Sequence, residues 1–419
     1  MSKIWHPYAQ MQNATPNYHV TNATGVLLTL ADGTTMVDGI SSWWATIHGY
    51  NHPHINAAIQ AQAGNFSHIM LGGLTHSPAQ QLAQKLSEIT PEGLEYTFFS
   101  DSGSVGVEVA VKIAIQYWLN QGIKGKHKML SLSKAYHGDT FKAMEVGGDD
   151  DFHITYKGIL NRDFVLPAPQ STFANADPQV LKQDILALEQ MLQQNHQQIA
   201  GFILEPLVQC AGGFNMYSPA YLRAARKLCS EYDVLLIFDE VATGFGRTGE
   251  LFAANHAQVS PDIMILGKAL TAGYVGHAAT IVQTFVFEGF YGEGYDTALM
   301  HGPTFMGNAL ACSIALAGIE LVEQQGYLEK IKAIEQQLKT ALLDIKSPFV
   351  ANTRVLGAIG VMEMTDSKYT KGFVDFAKQR GVWLRPFGQY IYTMPPYIIT
   401  AVELTKITEV MLAWLAHLE

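Results

Sequence analysis

The sequence predicts an α/β fold built on a mostly parallel central sheet, with a smaller α+β part beside it. From about residue 95 onward, short apolar segments that fit buried strands alternate with longer segments of helical periodicity. The strand segments are almost continuously apolar, which is typical of parallel strands covered by helices on both faces. A chain of 419 residues is about three times the commonest domain size, so it can form such a core and carry additions.

The individual elements follow in chain order. Asp32-Gly33 between two apolar runs predicts a β-hairpin over residues 26–38. Residues 308–345 have a helical pattern, and the residues after 350 mix short strands with helices. Between these parts, strands are predicted at 95–100, 128–132, 199–204, 234–238 and 263–266, and helices at 104–121, 178–195 and 218–231.

These elements group into two predicted domains. Residues 50–310 contain the strand–helix alternation and form a large domain. Residues 1–49 and 311–419 together form a smaller, discontinuous domain. No internal repeat and no long Pro-, Ser- or Gly-rich linker interrupts the chain.

Charge and composition exclude some classes of function. The chain has 27 basic and 37 acidic residues, a net charge of −10, so no nucleic-acid partner is expected. Charged residues make up 15% of the chain, against about 25% in an average domain. This low share suggests that part of the surface is buried in an oligomer.

Cysteine usage and hydropathy predict a cytoplasmic protein. The three cysteines are odd in number and lack CxxC spacing, so a disulfide framework is not expected. The N-terminal residues lack the apolar stretch of a signal peptide. No segment approaches the roughly 18 consecutive apolar residues of a membrane span, so no membrane partner is expected either.

No metal site is predicted. His48, His52 and His54 lie close together in sequence, but no cysteine or carboxylate is near enough to complete a ligand set. The acidic run at residues 149–151 lacks the spacing of an EF-hand calcium loop. Both groups are expected to have structural or solvent-exposed roles.

A loop of small residues joins strand 95–100 to the following helix. Ligands of open α/β sheets bind at the carboxyl ends of the strands, where this loop falls. Amides at a helix N-terminus favour an anion, Gly103 lets the backbone approach it, and Ser104 adds a hydroxyl. The loop fits either a phosphate cup or an ordinary Ser N-cap, and it lacks P-loop spacing.

Two further strand ends carry charged residues. Asp239 follows strand 234–238, where a buried carboxylate needs a partner such as a protonated ring nitrogen, or caps a helix. Lys268 follows strand 263–266 among small and apolar residues, so desolvation favours a nucleophilic amine. A phosphate cup, an acid and an amine at one sheet edge match the requirements of pyridoxal phosphate.

The residues around these positions resemble a known family. Residues 238–249 read FDEVATGFGRTG, and Lys268 lies 29 residues after Asp239. Together with Glu205-Pro206 and the HGPTF segment at 301–305, this pattern resembles the signature of class III (ω-amino) aminotransferases. The resemblance covers almost the whole chain. It implies a fold-type I, pyridoxal 5'-phosphate-dependent homodimer with active sites at the subunit interface.

The resemblance also implies a role for individual residues. Lys268 would hold the cofactor and shuttle the reacting proton, and Asp239 would pair with the pyridine nitrogen. Val241 and Tyr136 would pack on opposite faces of the ring. The phosphate would be bound by Gly103 and Ser104 and, from the neighbouring subunit, by Pro303 and Thr304; the substrate pocket would contain Tyr8, Trp43, Tyr136, Gly302, Arg385 and Tyr392, with Asp139 on the donor side.

Several segments point to one subgroup of this family, whose acceptor is a keto acid with an amine and a remote carboxylate on an alkyl chain. An aromatic wall suits the alkyl chain and an Arg suits the carboxylate. S-adenosylmethionine is the expected amino donor, although some relatives use lysine and the sequence does not separate the two. The segments are WHPY at 5–8, SSWW at 41–44, YHGD at 136–139, HGPT at 301–304, RPFG at 385–388 and YTMPPY at 392–397.

Other functions fit less of the sequence. Another ω-aminotransferase, acting on a diamine or on acetylornithine, would not explain Trp43, Tyr8 and Asp139. A dinucleotide-dependent oxidoreductase would need a GxGxxG loop, and a non-catalytic binding protein would not need the lysine and the acid. Cys210 stands where the family usually has Gly, which leaves the local turn as an open point.

Overall fold

The computed structural model describes residues 3–12, 17–148 and 152–419 of the chain. The acidic run at 149–151 therefore lies outside the described residues. The strands are β1 (Val20–Thr24), β2 (Leu27–Leu30), β3 (Thr35–Asp38), β4 (Leu94–Ser100), β5 (Lys128–Leu132), β6 (Phe164–Leu166), β7 (Ile199–Leu204), β8 (Val208–Gln209), β9 (Asn215–Met216), β10 (Leu235–Asp239), β11 (Ile263–Leu266), β12 (Ala278–Gln283), β13 (Val350–Leu356), β14 (Ile359–Met364), β15 (Val382–Trp383) and β16 (Tyr390–Thr393).

The helices surround these strands, and short 3₁₀ turns occur at three further places (Ile154–Tyr156, Lys268–Thr271 and Ser367–Thr370). None of the helices in the described ranges is long and apolar enough to cross a membrane. The helices are α1 (Ser41–Trp44), α2 (Pro53–Ala63), α3 (Ser77–Ile89), α4 (Gly103–Asn120), α5 (Phe141–Glu145), α6 (Pro178–Asn195), α7 (Pro219–Glu231), α8 (Ala253–Ala257), α9 (Thr284–Glu288), α10 (Ala309–Gln324), α11 (Tyr327–Leu342), α12 (Phe373–Gln379) and α13 (Ala401–Leu418).

The central sheet has seven strands in the order β4-β12-β11-β10-β7-β5-β6. Strand β12 is antiparallel to both of its neighbours, and the other neighbouring pairs are parallel. Every residue of β7, β10 and β11 is buried. Alternate residues of β10 face opposite sides, since Leu235 and Ile237 pack with α4 whereas Leu236 and Phe238 join the larger core. The predicted mostly parallel sheet, covered on both faces, is confirmed.

Two smaller sheets lie beside it. The strands β1, β2, β3 and β15 form one sheet, which brings the N-terminal hairpin together with residues 382–383. The strands β13, β14 and β16 form another sheet, against which α11 packs. This arrangement brings parts of 1–49 and 311–419 side by side, and the division at residues 50 and 310 stays a prediction.

Most predicted elements match the structure within one or two residues, including the hairpin over 26–38. The helical pattern at 308–345 is confirmed, and the structure divides it into two helices, α10 and α11. Gly326 has a φ of 62° and so turns the chain between them. The sequence patterns had not assigned α2, α3 or β12 individually.

Candidate active site

The carboxyl ends of five parallel strands meet at one edge of the central sheet. Residues that follow β4, β5, β7, β10 and β11 line a cavity of about 180 Å³ there. This is the position at which open α/β sheets bind ligands. The lining residues are Trp44, Ser102, Gly103, Ser104, Tyr136, His137, Gly138, Glu205, Asp239, Val241, Ala242 and Lys268.

Helix α4 points its N-terminus into this cavity. Ser102 is its N-cap, and the Ser102 hydroxyl accepts a hydrogen bond from the amide of Val105 at 3.4 Å. The amide of Gly106 is bonded to the Ser102 carbonyl, so those of Gly103 and Ser104 come before the first intrahelical donor. The first turn of this 18-residue helix has no acidic residue, so nothing there offsets the positive end of its dipole. Ser102 therefore caps the helix, and the two next residues line the cavity, while phosphate binding by them stays a prediction.

Two glycines keep the space beside this helix end open. A Cβ on Gly103 would lie 2.9 Å from Cγ1 of Val241, which is closer than side chains tolerate. Gly138 has a φ of 117°, and a Cβ there would lie 1.8 Å from the Ser104 hydroxyl oxygen. Side chains at either position would therefore disturb Val241 or Ser104, which line the cavity.

The Asp239 carboxylate is buried and held from two sides. Its Oδ2 accepts a hydrogen bond from His137 Nδ1 at 2.7 Å, and its Oδ1 accepts one from the amide of Val241 at 3.0 Å. The side chain of His137 is fully buried. These two donors fix the direction of the carboxylate at the floor of the cavity.

A second acid, Glu205, lies at the end of β7. Its carboxylate accepts hydrogen bonds from the amides of Tyr136 and Cys210, each at 3.0 Å. Burial raises the pKa of Glu205 to about 7, although its hydrogen bonds oppose the change. Cys210 is not among the residues with positive φ, so a side chain fits where the family usually has Gly.

Lys268 follows β11 directly and is buried in the wall between two cavities. Its own φ is 43°, a left-handed value that is uncommon for a residue with a side chain. Burial lowers the pKa of its ammonium group, and Asp239 opposes that change. Its Nζ atom lies 5.0 Å from the centre of the Trp44 ring. Burial of this kind favours the neutral, nucleophilic form of the amine, and the role of Lys268 as nucleophile stays a prediction.

A second cavity of about 310 Å³ opens on the other side of Lys268. It shares Trp44, Tyr136 and Lys268 with the first cavity, and most of its wall is aromatic. Its lining residues are Pro7, Tyr8, Trp43, Trp44, Tyr136, Asp139, Phe152, Ala211, Lys268, Arg385, Phe387 and Tyr392.

Asp139 is the acid of this second cavity. It accepts hydrogen bonds from the hydroxyl of Tyr8 at 2.5 Å, the hydroxyl of Tyr136 at 2.9 Å and Nε2 of His153 at 2.9 Å. Burial would raise the pKa of Asp139, but these donors outweigh burial and lower it. Burial and the neighbouring acid raise the pKa of Tyr136, so its hydroxyl stays protonated. The cavity therefore holds a fixed negative charge at one place.

Arg385 is the basic residue of this cavity besides Lys268. Its guanidinium lies 5.4 Å from the centre of the Trp43 ring. Within the described ranges, no carboxylate lies within 4.0 Å of its nitrogens. A guanidinium with an aromatic contact and no carboxylate partner is suited to a carboxylate of a ligand.

The structure brings most of the predicted site residues together. Lys268, Asp239, Tyr136, Gly103, Ser104 and Val241 meet around the first cavity, and Tyr8, Trp43, Asp139, Arg385 and Tyr392 line the second. Gly302, Pro303 and Thr304 line neither cavity of this chain. Phosphate binding by Pro303 and Thr304 in a neighbouring subunit and the pocket contact of Gly302 therefore stay predictions.

Sequence reasoning gave no role to several residues at the site. Glu205 directly follows a fully buried strand. A carboxylate at the end of such a strand identified Asp239, and the same signal could have identified Glu205. His137 belongs to the YHGD segment at 136–139, but the sequence does not show its hydrogen bond to Asp239, which joins two distant parts of the chain. Phe152 lies in an irregular loop without periodicity, so no sequence signal marks it.

This combination of fold and site defines a class of protein, and comparison with known proteins gives the same class. Residues 8–415 match the aminotransferase class-III family, and the chain belongs to that family. It is therefore an aminotransferase of the pyridoxal-phosphate-dependent, fold-type I class.

Particular relatives are similar over almost their whole length. The chain is 46% identical to the adenosylmethionine-8-amino-7-oxononanoate aminotransferase of Buchnera aphidicola, covering 97% of this chain and 95% of that one. The solved enzyme of that name from Methanocaldococcus jannaschii superposes with a TM-score of 0.91 at 32% identity, covering 99% and 97%. An amine transaminase from an uncultivated Pseudomonas species, solved in its PLP-bound form, superposes with a TM-score of 0.93 at 30% identity, covering 100% and 99%.

The first cavity fits pyridoxal 5'-phosphate. The N-terminus of α4 offers amides to a phosphate, and the glycines 103 and 138 leave the space that a Cβ would fill. Asp239 supplies a carboxylate for a protonated ring nitrogen, and Lys268 supplies an amine for an aldehyde. The residues present thus match the three chemical groups of the cofactor.

Proposed function

We propose that this enzyme transfers an amino group from S-adenosylmethionine to the ketone of 8-amino-7-oxononanoate. The product is 7,8-diaminononanoate, and the step belongs to biotin biosynthesis. The names of the relatives that cover almost the whole chain support both substrates. The observation that carries the proposal is that Arg385, which has no carboxylate partner among the described residues, lies in an aromatic cavity that also contains Lys268.

The second cavity has the chemistry that this acceptor requires. Tyr8, Trp43, Phe152 and Phe387 provide apolar surface for an alkyl chain. Arg385 would bind the remote carboxylate, while the ketone would lie beside Lys268. An acceptor with no carboxylate would leave the half-buried guanidinium without a charged partner among the described residues.

The residues of the first cavity have different roles in the reaction. Pyridoxal phosphate, when bound, stores the amino group between the two half-reactions and withdraws electrons from the reacting carbon. Lys268 Nζ removes the proton from the donor α-carbon and returns one during amination of the acceptor, for which its lowered pKa is suited. Asp239 would be the partner of a protonated ring nitrogen, since its hydrogen bonds with His137 and Val241 fix the direction of its carboxylate in the first cavity.

Asp139 would interact with a positively charged part of the donor. Its lowered pKa keeps it ionised at neutral pH, and its carboxylate lies in the same cavity as Arg385. S-adenosylmethionine carries a sulfonium and an ammonium group, and lysine carries two ammonium groups. Lysine therefore stays the alternative donor, because both molecules offer a cation to this carboxylate.

The functional unit in this proposal is a cytoplasmic homodimer with shared active sites. Large apolar side chains are exposed on the segment around Gly302, namely Tyr291, Tyr295, Met300 and Phe305. Exposed apolar surface of this kind supports an interface. Burial of Cys210, Cys229 and Cys312 without a disulfide supports a reducing compartment.

The acceptor can be tested by steady-state assays with S-adenosylmethionine as donor. The enzyme should aminate 8-amino-7-oxononanoate with a KM at least about tenfold lower than that of its methyl ester, since a charge-assisted bond to Arg385 is lost. Acetylornithine and simple diamines should be poor partners. Failure to form 7,8-diaminononanoate with either S-adenosylmethionine or lysine would reject the proposal.

A further inference from the structure

A left-handed turn carries both tryptophans of the second cavity. Residues Ser41, Ser42, Trp43 and Trp44 form α1 with φ values of 49°, 45°, 57° and 75°. Side chains disfavour this conformation because the Cβ atom comes too close to the following carbonyl oxygen. Strain of this kind persists only where surrounding groups enforce it, and it is common at functional sites.

Asp38 and Tyr50 form hydrogen bonds to this turn. Asp38 is buried, and its Oδ1 accepts a hydrogen bond from the amide of Ile40 at 2.9 Å. Its Oδ2 accepts hydrogen bonds from the amide of Ser42 at 3.0 Å and from the hydroxyl of Tyr50 at 2.6 Å. The Tyr50 hydroxyl also lies 2.6 Å from that of Ser42. The Asp38 carboxylate thus accepts hydrogen bonds from the Ile40 amide, just before the turn, and from the Ser42 amide within it.

The turn places one indole against each cation of the second cavity. The Trp44 ring lies 5.0 Å from Nζ of Lys268, and the Trp43 ring lies 5.4 Å from the guanidinium of Arg385. A right-handed or extended backbone at Ser42 and Trp43 would turn these rings in other directions. The geometry of both cation contacts therefore depends on the conformation of four strained residues.

We propose that Asp38 and Tyr50 are positioning residues, which hold the left-handed turn so that Trp43 and Trp44 align Arg385 and Lys268. Neither side chain lines the second cavity, so both act through the turn. The inference rests on the proposed function only for the identity of the acceptor. The shape of the cavity and its affinity for a carboxylate can be measured without it.

Tyr50→Phe tests this role, because it removes one hydroxyl and keeps the ring. With the cofactor-loaded enzyme, the KM for 8-amino-7-oxononanoate should rise about tenfold and the donor KM should change less than twofold. The Kd of nonanoate, a straight-chain carboxylate that cannot react, should rise by a similar factor in calorimetric titration. Tyr327→Phe is the matched control, because it loses a buried hydroxyl 2.9 Å from Nδ1 of His48 and should leave these constants unchanged.

A second substitution distinguishes positioning from a general loss of stability. Glycine adopts positive φ without a steric penalty, so Ser42→Gly added to Tyr50→Phe should restore most of the lost nonanoate affinity and acceptor KM. If Tyr50→Phe lowers only the melting temperature, or if the added glycine restores nothing, the proposal is overturned. A wild-type enzyme that binds nonanoate but does not aminate the keto acid would instead reject only the proposed function.

Discussion

At the scale of single residues, the site depends on charged groups with different degrees of pairing. Asp239 and Asp139 each have strong hydrogen-bond donors, whereas Arg385 has an indole and no carboxylate partner in the described parts of the chain. Lys268 is buried, which lowers its pKa and favours a neutral amine. The two carboxylates are suited to orient a ligand, the Lys268 amine is suited to react with one, and the Arg385 guanidinium is suited to bind one.

Lys268→Ala should reduce turnover at least about a thousandfold, because the variant loses both the cofactor's covalent attachment and the proton-transfer group. Single-turnover assays with S-adenosylmethionine measure this effect. Lys346 lines neither cavity. The Lys346→Ala variant therefore serves as a control, and its turnover should be unchanged. Near-normal transamination by Lys268→Ala would contradict the assignment.

Arg385→Ala should raise the KM for 8-amino-7-oxononanoate by about tenfold to a hundredfold, the range expected for loss of a charge-assisted bond. The KM for the donor should change much less. Arg354→Ala is a useful comparison, because that guanidinium is already paired with Glu363 at 2.6 Å and lines neither cavity. Equal effects of Arg385→Ala on both substrates would mean that the carboxylate contact is misplaced.

At the scale of elements, the site is built where strands end and helices begin. Helix α4 and the loops after β5, β10 and β11 converge because their strands run parallel in one sheet. The sequence predicted these strands well, since each is a short apolar run with a polar residue at its end. The conformation of α1 and the break between α10 and α11 could not be predicted in the same way. The conformation of α1 depends on hydrogen bonds with Asp38 and Tyr50, which lie outside the turn. The break between α10 and α11 depends on Gly326, a single glycine within a helical pattern.

Gly138→Ala should weaken cofactor binding at least about tenfold, because the new Cβ would overlap the Ser104 hydroxyl beside the N-terminus of α4. Gly122→Ala is the matched control. Gly122 also has a positive φ, 79°, but it has open space around its Cβ position at the other end of α4. Both variants should unfold more easily, and only Gly138→Ala should lose cofactor in equilibrium dialysis. Equal cofactor affinity in the two variants would show that the glycine is not needed for the cavity.

At the scale of the whole molecule, one chain contains both cavities. Pro303 and Thr304, which are expected to bind a phosphate, line neither of them. The motifs around Asp239 and Lys268 were sufficient to predict the fold class and most of the site from the sequence. They did not show the contacts of Glu205, His137 and Phe152 in the site, because those contacts join segments far apart in the chain. The role of Thr304 in a neighbouring subunit stays a prediction.

Co-expression of two inactive variants tests the shared site. A Lys268→Ala chain can donate Thr304, and a Thr304→Ala chain can supply Lys268, so a mixed dimer should contain one intact site. Random pairing should then give about a quarter of wild-type activity at limiting cofactor. Activity no greater than the sum of the two variants measured separately would argue against exchange of Thr304 between subunits.

The complete cycle can be followed in one experiment by the absorbance of the lysine-bound cofactor. S-adenosylmethionine added to the loaded wild-type enzyme should remove this absorbance within a single turnover, with lysine tested in parallel. Addition of 8-amino-7-oxononanoate after removal of the donor should restore it, and one 7,8-diaminononanoate should form per site. An absorbance that responds to neither donor, or that the keto acid does not restore, would contradict the proposed reaction.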